Sequence, residues 1–143
     1  MMVFLSLALI WVLMSGCAGS DQGKPGANEG RLFSMDEVEG KFTDLRPGYL
    51  LMDQGKVSFQ EVVFDYDDKA ILYVKEYIDP DFVEYELADD VEVYVIEFEN
   101  NITKYKKVDY DSFSRQFDSS SLKPFYVKTT DHTIQAVIEK YVP

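Results

Sequence analysis

The stretch Val91-Glu-Val-Tyr-Val-Ile-Glu-Phe98 decides the fold class. Val91, Val93 and Val95 alternate with Glu92 and Tyr94, the two-residue period of a strand with one covered face. The apolar phase then changes, and Ile96 and Phe98 fall on the opposite set. A bulge near Val95 is expected to return them to a single inner face. Asn100-Asn101 follows, a pair that tolerates positive φ and suits a hairpin turn. Thr103 to Val108 reads as the returning strand.

The same alternation extends outward in both directions. Upstream, Lys41 to Arg46 reads as an edge strand before Pro47-Gly48, and Tyr49 to Met52 as a strand running into the turn Asp53-Gln54-Gly55. Lys56 to Tyr66 places Val57, Phe59 and Val63 on one face and Val62 and Phe64 on the other. After the turn Asp67-Asp68, Ile71 to Ile78 places Leu72, Val74 and Ile78 opposite Tyr73, Lys75 and Tyr77. Asp79-Pro80-Asp81 interrupts the pattern, since proline lacks a ladder donor. Phe82 to Leu87 is a further strand, ended by Ala88-Asp89-Asp90.

Two segments carry a helical period. Ser34 and Glu37 have capping-box spacing at the start of Leu32 to Lys41, and Gly40 is placed to end that turn. In Asp109 to Asp118, Phe113 and Phe117 are four apart behind a capping Asp, which predicts a lid over one end of a barrel or sheet. Phe125 to Thr130 and Thr133 to Val142 then form a closing hairpin about Asp131-His132, with Ile134, Ala136, Ile138 and Val142 on one face. Short strands with turns every eight to twelve residues indicate a sandwich or small barrel. The expectation is a single mostly-β domain over residues 31–143: a small, partly open barrel or sandwich of about seven or eight strands, with one short helix near 110–118.

Composition removes several function classes. The formal net charge is -12, whereas phosphate binding needs clustered Lys and Arg, so nucleic acid is not an expected partner. The single cysteine, Cys17, excludes an intramolecular disulfide and any Cys-based zinc site. The single histidine, His132, sits in a predicted turn and leaves little for Ser–His–Asp chemistry. No catalytic residue, metal site or cofactor is assigned. The acidic groups Asp65/Asp67/Asp68, Asp79/Asp81, Asp89/Asp90 and Asp109/Asp111 read first as turn formers. None has the glycine that an EF-hand loop requires, although two such loops brought together would offer calcium oxygen ligands. Tyr73, Tyr77 and Tyr94 are the candidate binding face, an aromatic platform of the kind that recognises proteins or sugars.

The first residues, MMVFLSLALIWVLM, form an apolar run too short for a hydrocarbon core that takes about 20 helical residues. It suits the apolar region of a signal peptide. With Ser15, Gly16 and Cys17 after it, the segment resembles a bacterial lipoprotein signal, whose lipobox ends in a small residue and an obligatory cysteine. Met14 stands where leucine is usual, and no Lys or Arg precedes the run. The resemblance implies removal of residues 1–16, cleavage between Gly16 and Cys17, and lipid on the Cys17 sulfur. It further implies a protein held by that lipid on the extracytoplasmic face of a bacterial cell envelope. Residues 17–30 then supply the lipidated cysteine and a Gly-, Ser- and Asn-bearing tether, on the order of 20 Å end to end as a coil. The functional expectation is a non-enzymatic module that binds an envelope protein partner or serves envelope assembly. The alternative is a small-molecule, sugar or calcium binder.

Overall fold

The computed structural model describes residues 30–143. The expected signal peptide, Cys17 and all of the tether before Gly30 lie outside the described residues.

Among the described residues ten elements follow one another: β1 (Leu32–Phe33), α1 (Met35–Glu39), β2 (Arg46–Asp53), β3 (Lys56–Tyr66), β4 (Leu72–Tyr77), β5 (Val83–Glu99), β6 (Ile102–Val108), α2 (Tyr110–Gln116), β7 (Pro124–Thr130) and β8 (Thr133–Glu139). Hydrogen bonding runs β1-β6-β5-β8-β7-β2-β3-β4, and β5 also pairs with β3. That extra pairing closes β2, β3, β5, β8 and β7 into a five-stranded barrel. All neighbours in it are antiparallel except β5 and β8, which run parallel. β6 with β1, and β4, are flanges outside the closed ring. The domain is therefore mostly β and barrel-shaped, with α2 where the phenylalanine spacing places a helix.

Turn chemistry accounts for the connections. Gln54 and Gly55, Asn100 and Asn101, and Asp131 and His132 all have positive φ, as tight hairpins demand. Ser34 and Glu37 complete a reciprocal capping box at α1. The Asp109 carboxylate accepts from the Ser112 N–H at the start of α2. Lys41 to Leu45, expected as an edge strand, is instead a run of turns and bends leading into β2.

Among the described residues there are two hydrophobic cores. The first fills the barrel with Leu50, Val57, Phe59, Val93, Phe125, Val127, Ile134 and Val137. α2 closes one end: the Phe113 and Phe117 rings lie 5.9 and 6.0 Å from Phe125. Arg46 occupies the other end. Its Nε donates to Glu61 at 2.7 Å, and its Nη1 donates to the Tyr85 hydroxyl at 3.0 Å and to Thr129 at 3.2 Å. The second core lies outside the barrel wall, where Val38 of α1 packs on Tyr94, Tyr105 and Ile138, with Phe33, Met35 and Phe42 around them. Among the described residues, every buried side-chain nitrogen and oxygen has a hydrogen-bond partner.

The second core corrects three readings of the pattern. β5 is one strand of 17 residues rather than two broken at Ala88-Asp89-Asp90, and its register with β8 shifts between Leu87 and Glu92 instead of breaking the strand. No bulge interrupts β5 at Val95: its register with β6 is unbroken from Val93 to Glu99. Val93 and Val95 face the barrel core while Tyr94 and Ile96 face the outer core, so the change of apolar phase marks a strand covered on both faces. On β8, a register shift opposite Lys128 and Thr129 turns Ile134 and Val137 inward and Ile138 outward. The face drawn through Ile134, Ala136 and Ile138 is thereby divided between the two cores.

Gly48 shows how tightly the barrel is wound. A Cβ there would overlap the Gln60 carbonyl oxygen and lie 2.6 Å from the Phe59 ring. Both obstacles are fixed, one being backbone and the other a fully buried ring. Gly48→Ala is expected to destabilise the fold by about 1–3 kcal/mol, the range for overpacking a closed site. Urea unfolding of the variant beside wild type checks this, and an unchanged midpoint would mean that the barrel is looser than described.

Candidate binding cleft

The three tyrosines singled out from the sequence do not share a surface. Tyr94 is only 3% exposed and belongs to the outer core. Tyr77 lies opposite Val62, and Tyr73 lies opposite Asp65, across a register shift between Val63 and Phe64. Directly opposed residues share a face, so the shift puts Tyr77 on the Val62 and Phe64 side and Tyr73 on the other. Both are exposed, but they are no joint platform. The Phe64 ring packs edge-on to Tyr49 at 5.3 Å, and Lys140 Nζ lies 5.8 Å from the Tyr66 ring. The β3–β4 hairpin thus leans back over the barrel wall. Its free edge on β4 carries Lys75 and the register shift, two features that discourage strand pairing.

Tyr94 does organise a charged cluster. Lys41 Nζ reaches Glu92 Oε1 and Oε2 at 2.7 and 2.6 Å, Lys107 Nζ reaches Oε2 at 2.8 Å, and the Tyr94 hydroxyl donates to Oε2 at 2.8 Å. Burial alone would raise the Glu92 carboxyl. Donation from Lys107, Lys41 and Tyr94 outweighs it and lowers the pKa to about 2. Burial, and then the adjacent Glu92 carboxylate, push the Tyr94 hydroxyl up to about 12. The cluster ties the segment just after α1 to the wall through Lys41.

The remaining sequence candidates are separate. His132 stacks on Tyr85 at 4.6 Å, and its carbonyl accepts from the Glu86 N–H in the turn. Asp67 closes its own loop by accepting from the Lys69 and Ile71 N–H groups. Asp79 accepts from the Glu61 N–H, and Asp109 caps α2. Among the described residues, no three acidic or imidazole side chains gather to hold a metal ion.

What the alternation did not disclose is a cleft where two barrel strands part. β5 and β8 pair as far as Tyr94 opposite Ile138. β8 then stays with β7, through the Lys140 N–H to the Pro124 carbonyl at 3.0 Å, while β5 continues with β6 to Glu99. The Glu139 carboxylate stands in the throat and accepts from the Ile96 N–H at 3.0 Å. Since alternate residues of a strand direct their backbone groups to the same side, the Ile96 carbonyl and the Phe98 N–H and carbonyl face the opening. Among the described residues they have no strand opposite them.

A cavity opens on each side of this edge. On the barrel side, about 170 Å³ is lined by Val95, Phe113, Phe117 and Phe125, with Lys123 and Glu139 at its rim. On the outer side, about 320 Å³ is lined by Ile96, Phe98, Tyr141 and Val142, again with Lys123 and Glu139. Phe98 is 66% exposed and Ile102 is 59% exposed at the tip of the β5–β6 hairpin. The second apolar set in the sequence, Ile96 and Phe98, borders the cleft, but nothing local shows that β5 and β8 part there.

The charged cluster makes a pH prediction. Glu92 has a folded pKa below its ordinary value of 4.5, so its ionised form contributes stability that is complete above that value and is lost as pH falls toward about 2. Glu92→Gln is expected to lower stability at pH 7 by about 1–2 kcal/mol, allowing for screening at a partly exposed site. The gap from wild type should close as pH drops from about 5 to about 2. Urea titrations across that range check it, and a pH-independent gap would assign the loss to packing.

Compared with known protein families, curated proteins and solved structures, the chain matches none of them.

Proposed function

We propose that this chain is a bacterial envelope lipoprotein, held by lipid on Cys17, whose barrel is a non-enzymatic protein-interaction module. Gly16-Cys17 at the end of an apolar run supports the anchor. The observation that carries the interaction reading is the open strand edge at Ile96 and Phe98, with the exposed Phe98 side chain beside it. A strand edge with unpaired backbone and an exposed aromatic ring beside it is a template for another chain.

The order β2-β3-β5-β8-β7 parallels that of OB-type Greek-key barrels, which bind oligonucleotides or oligosaccharides on the face of their second and third strands. The corresponding outer face here, on β3 and the first part of β5, presents Ser58, Glu84 and Glu86, with Lys56 paired to Glu84 at 3.1 Å. An acidic face repels phosphate, so the ligand of this barrel is not a nucleic acid. A small-molecule or sugar site, the second reading, has the 320 Å³ cavity in its favour, at the low end of ligand-pocket size. The open backbone edge favours a polypeptide over it.

Two measurements test this reading. Wild type should incorporate an alkyne fatty acid and fractionate with membrane, and Cys17→Ser should lose both. If neither protein labels and residues 1–16 are retained, the anchor is wrong. A photo-cross-linking amino acid at Phe98 should give a discrete protein adduct in the intact envelope. Absence of any adduct, with the protein present and folded, would remove the interaction module.

A further inference from the structure

We infer that Met52 is an oxidation site, whose sulfoxide oxygen is received by the Tyr110 hydroxyl and tightens α2 on the barrel. This goes beyond the interaction reading and stands without it. Met52 lies near the end of β2, half-buried, and packs against the barrel core. It holds the lid at both ends. The Tyr110 hydroxyl, on the first residue of α2, donates to the Met52 sulfur at 3.9 Å. Ser119 Oγ, just beyond the helix, donates to the Met52 carbonyl at 2.8 Å. A cavity of about 420 Å³ opens beside these contacts, lined by Met52 and Tyr110 with polar side chains that include Lys56, Ser114 and Arg115. It leaves room for a small peroxide at the thioether and for the oxygen that the reaction adds.

The chemistry is a two-electron oxidation by hydrogen peroxide. A sulfur lone pair attacks one peroxide oxygen, the O–O bond breaks and an S–O bond forms. The second oxygen leaves with both peroxide protons as water, and the thioether becomes a sulfoxide. Such a change ordinarily disrupts a core, because it sets a polar oxygen among apolar groups. Here a donor is already aimed at the sulfur, and the cavity wall is polar. The Tyr110 hydroxyl exchanges a thioether, a weak acceptor, for a sulfoxide oxygen, a stronger one. Phe113 of the same helix lines the barrel-side cavity of the cleft, so the lid connects Met52 to that cavity. Enzymatic reduction of the sulfoxide would restore the starting state.

The test uses the full-length chain carrying Met35→Leu, which leaves Met52 as the methionine among the described residues. After hydrogen peroxide treatment, peptide mass mapping should find one added oxygen on Met52 in the folded chain. Its rate should lie within about tenfold of that in the urea-unfolded chain, since susceptibility follows access. Amide hydrogen exchange across Tyr110–Gln116 should then slow by about threefold or more, as one stronger hydrogen bond implies. With Tyr110→Phe added, oxidation should quicken that exchange instead, because the oxygen has lost its donor. With Met52→Leu added, peroxide should leave the exchange unchanged. A Met52 that stays reduced in the folded chain would overturn the site. Quicker lid exchange on oxidation with Tyr110 present, or the same slowing in Tyr110→Phe, would overturn the role of the hydroxyl. A peroxide effect that persists in Met52→Leu would move the site elsewhere in the chain and overturn the assignment.

Discussion

The structure depends on one strand being covered on both faces. β5 gives Val93 to the barrel core and Tyr94 to the outer core, and each is buried. A small barrel has a single interior, and a wall residue such as Tyr94 would ordinarily meet water. α1 and β1 prevent this by laying Val38 and Phe33 over it, and the Phe33 and Tyr94 rings meet edge-to-face at 5.8 Å. The N-terminal segment is therefore a working layer of the domain. Its capping box fixes where α1 begins, so Val38 arrives at the wall in register with Tyr105 and Ile138.

Covering both faces also explains why the cleft exists. A strand buried on two sides is held by its side chains, so β5 keeps its direction past Tyr94 while β8 follows β7. Parallel strands that diverge leave a wedge, and backbone groups inside a wedge need partners. Glu139 supplies one for Ile96 N–H, and its own carbonyl accepts from the Tyr105 hydroxyl at 2.8 Å. Tyr105 is a fully buried member of the outer core. The apex of the wedge is thus built from the same core that holds α1. Its open end, at Phe98, faces outward.

Alternation and turn residues made most of the elements legible. The hairpin turns at Gln54-Gly55, Asn100-Asn101 and Asp131-His132, the capped helix at Asp109 and the Ser34 box stand where residue chemistry puts them. What alternation could not convey was the number of covered faces. Ile96 reads as a phase error if the barrel has one interior, and as a second lining once α1 is known to cover the wall. The placing of Tyr73 and Tyr77 failed for a related reason: a one-residue shift at Val63 and Phe64 reverses every later side chain, and nothing in the local sequence announces it. Pairing partners far apart in the chain decide both. The cleft was invisible because it comes from the parting of β5 and β8, and parallel neighbours leave no local turn signal.

The layer over the outer wall also links the two halves of the functional reading. The described chain enters the sheet at Leu32 opposite Lys106 and Phe33 opposite Tyr105. From there the order is β6, then β5, then the cleft. Whatever precedes Gly30 meets the domain on the same wing of sheet that borders the cleft, through residues packed in one core. The β3–β4 hairpin lies at the far end of the strand order. The β1 end of the sheet therefore belongs to the wing that forms one side of the cleft. The acidic face of β3 and the first part of β5 lies on another part of the barrel, clear of both.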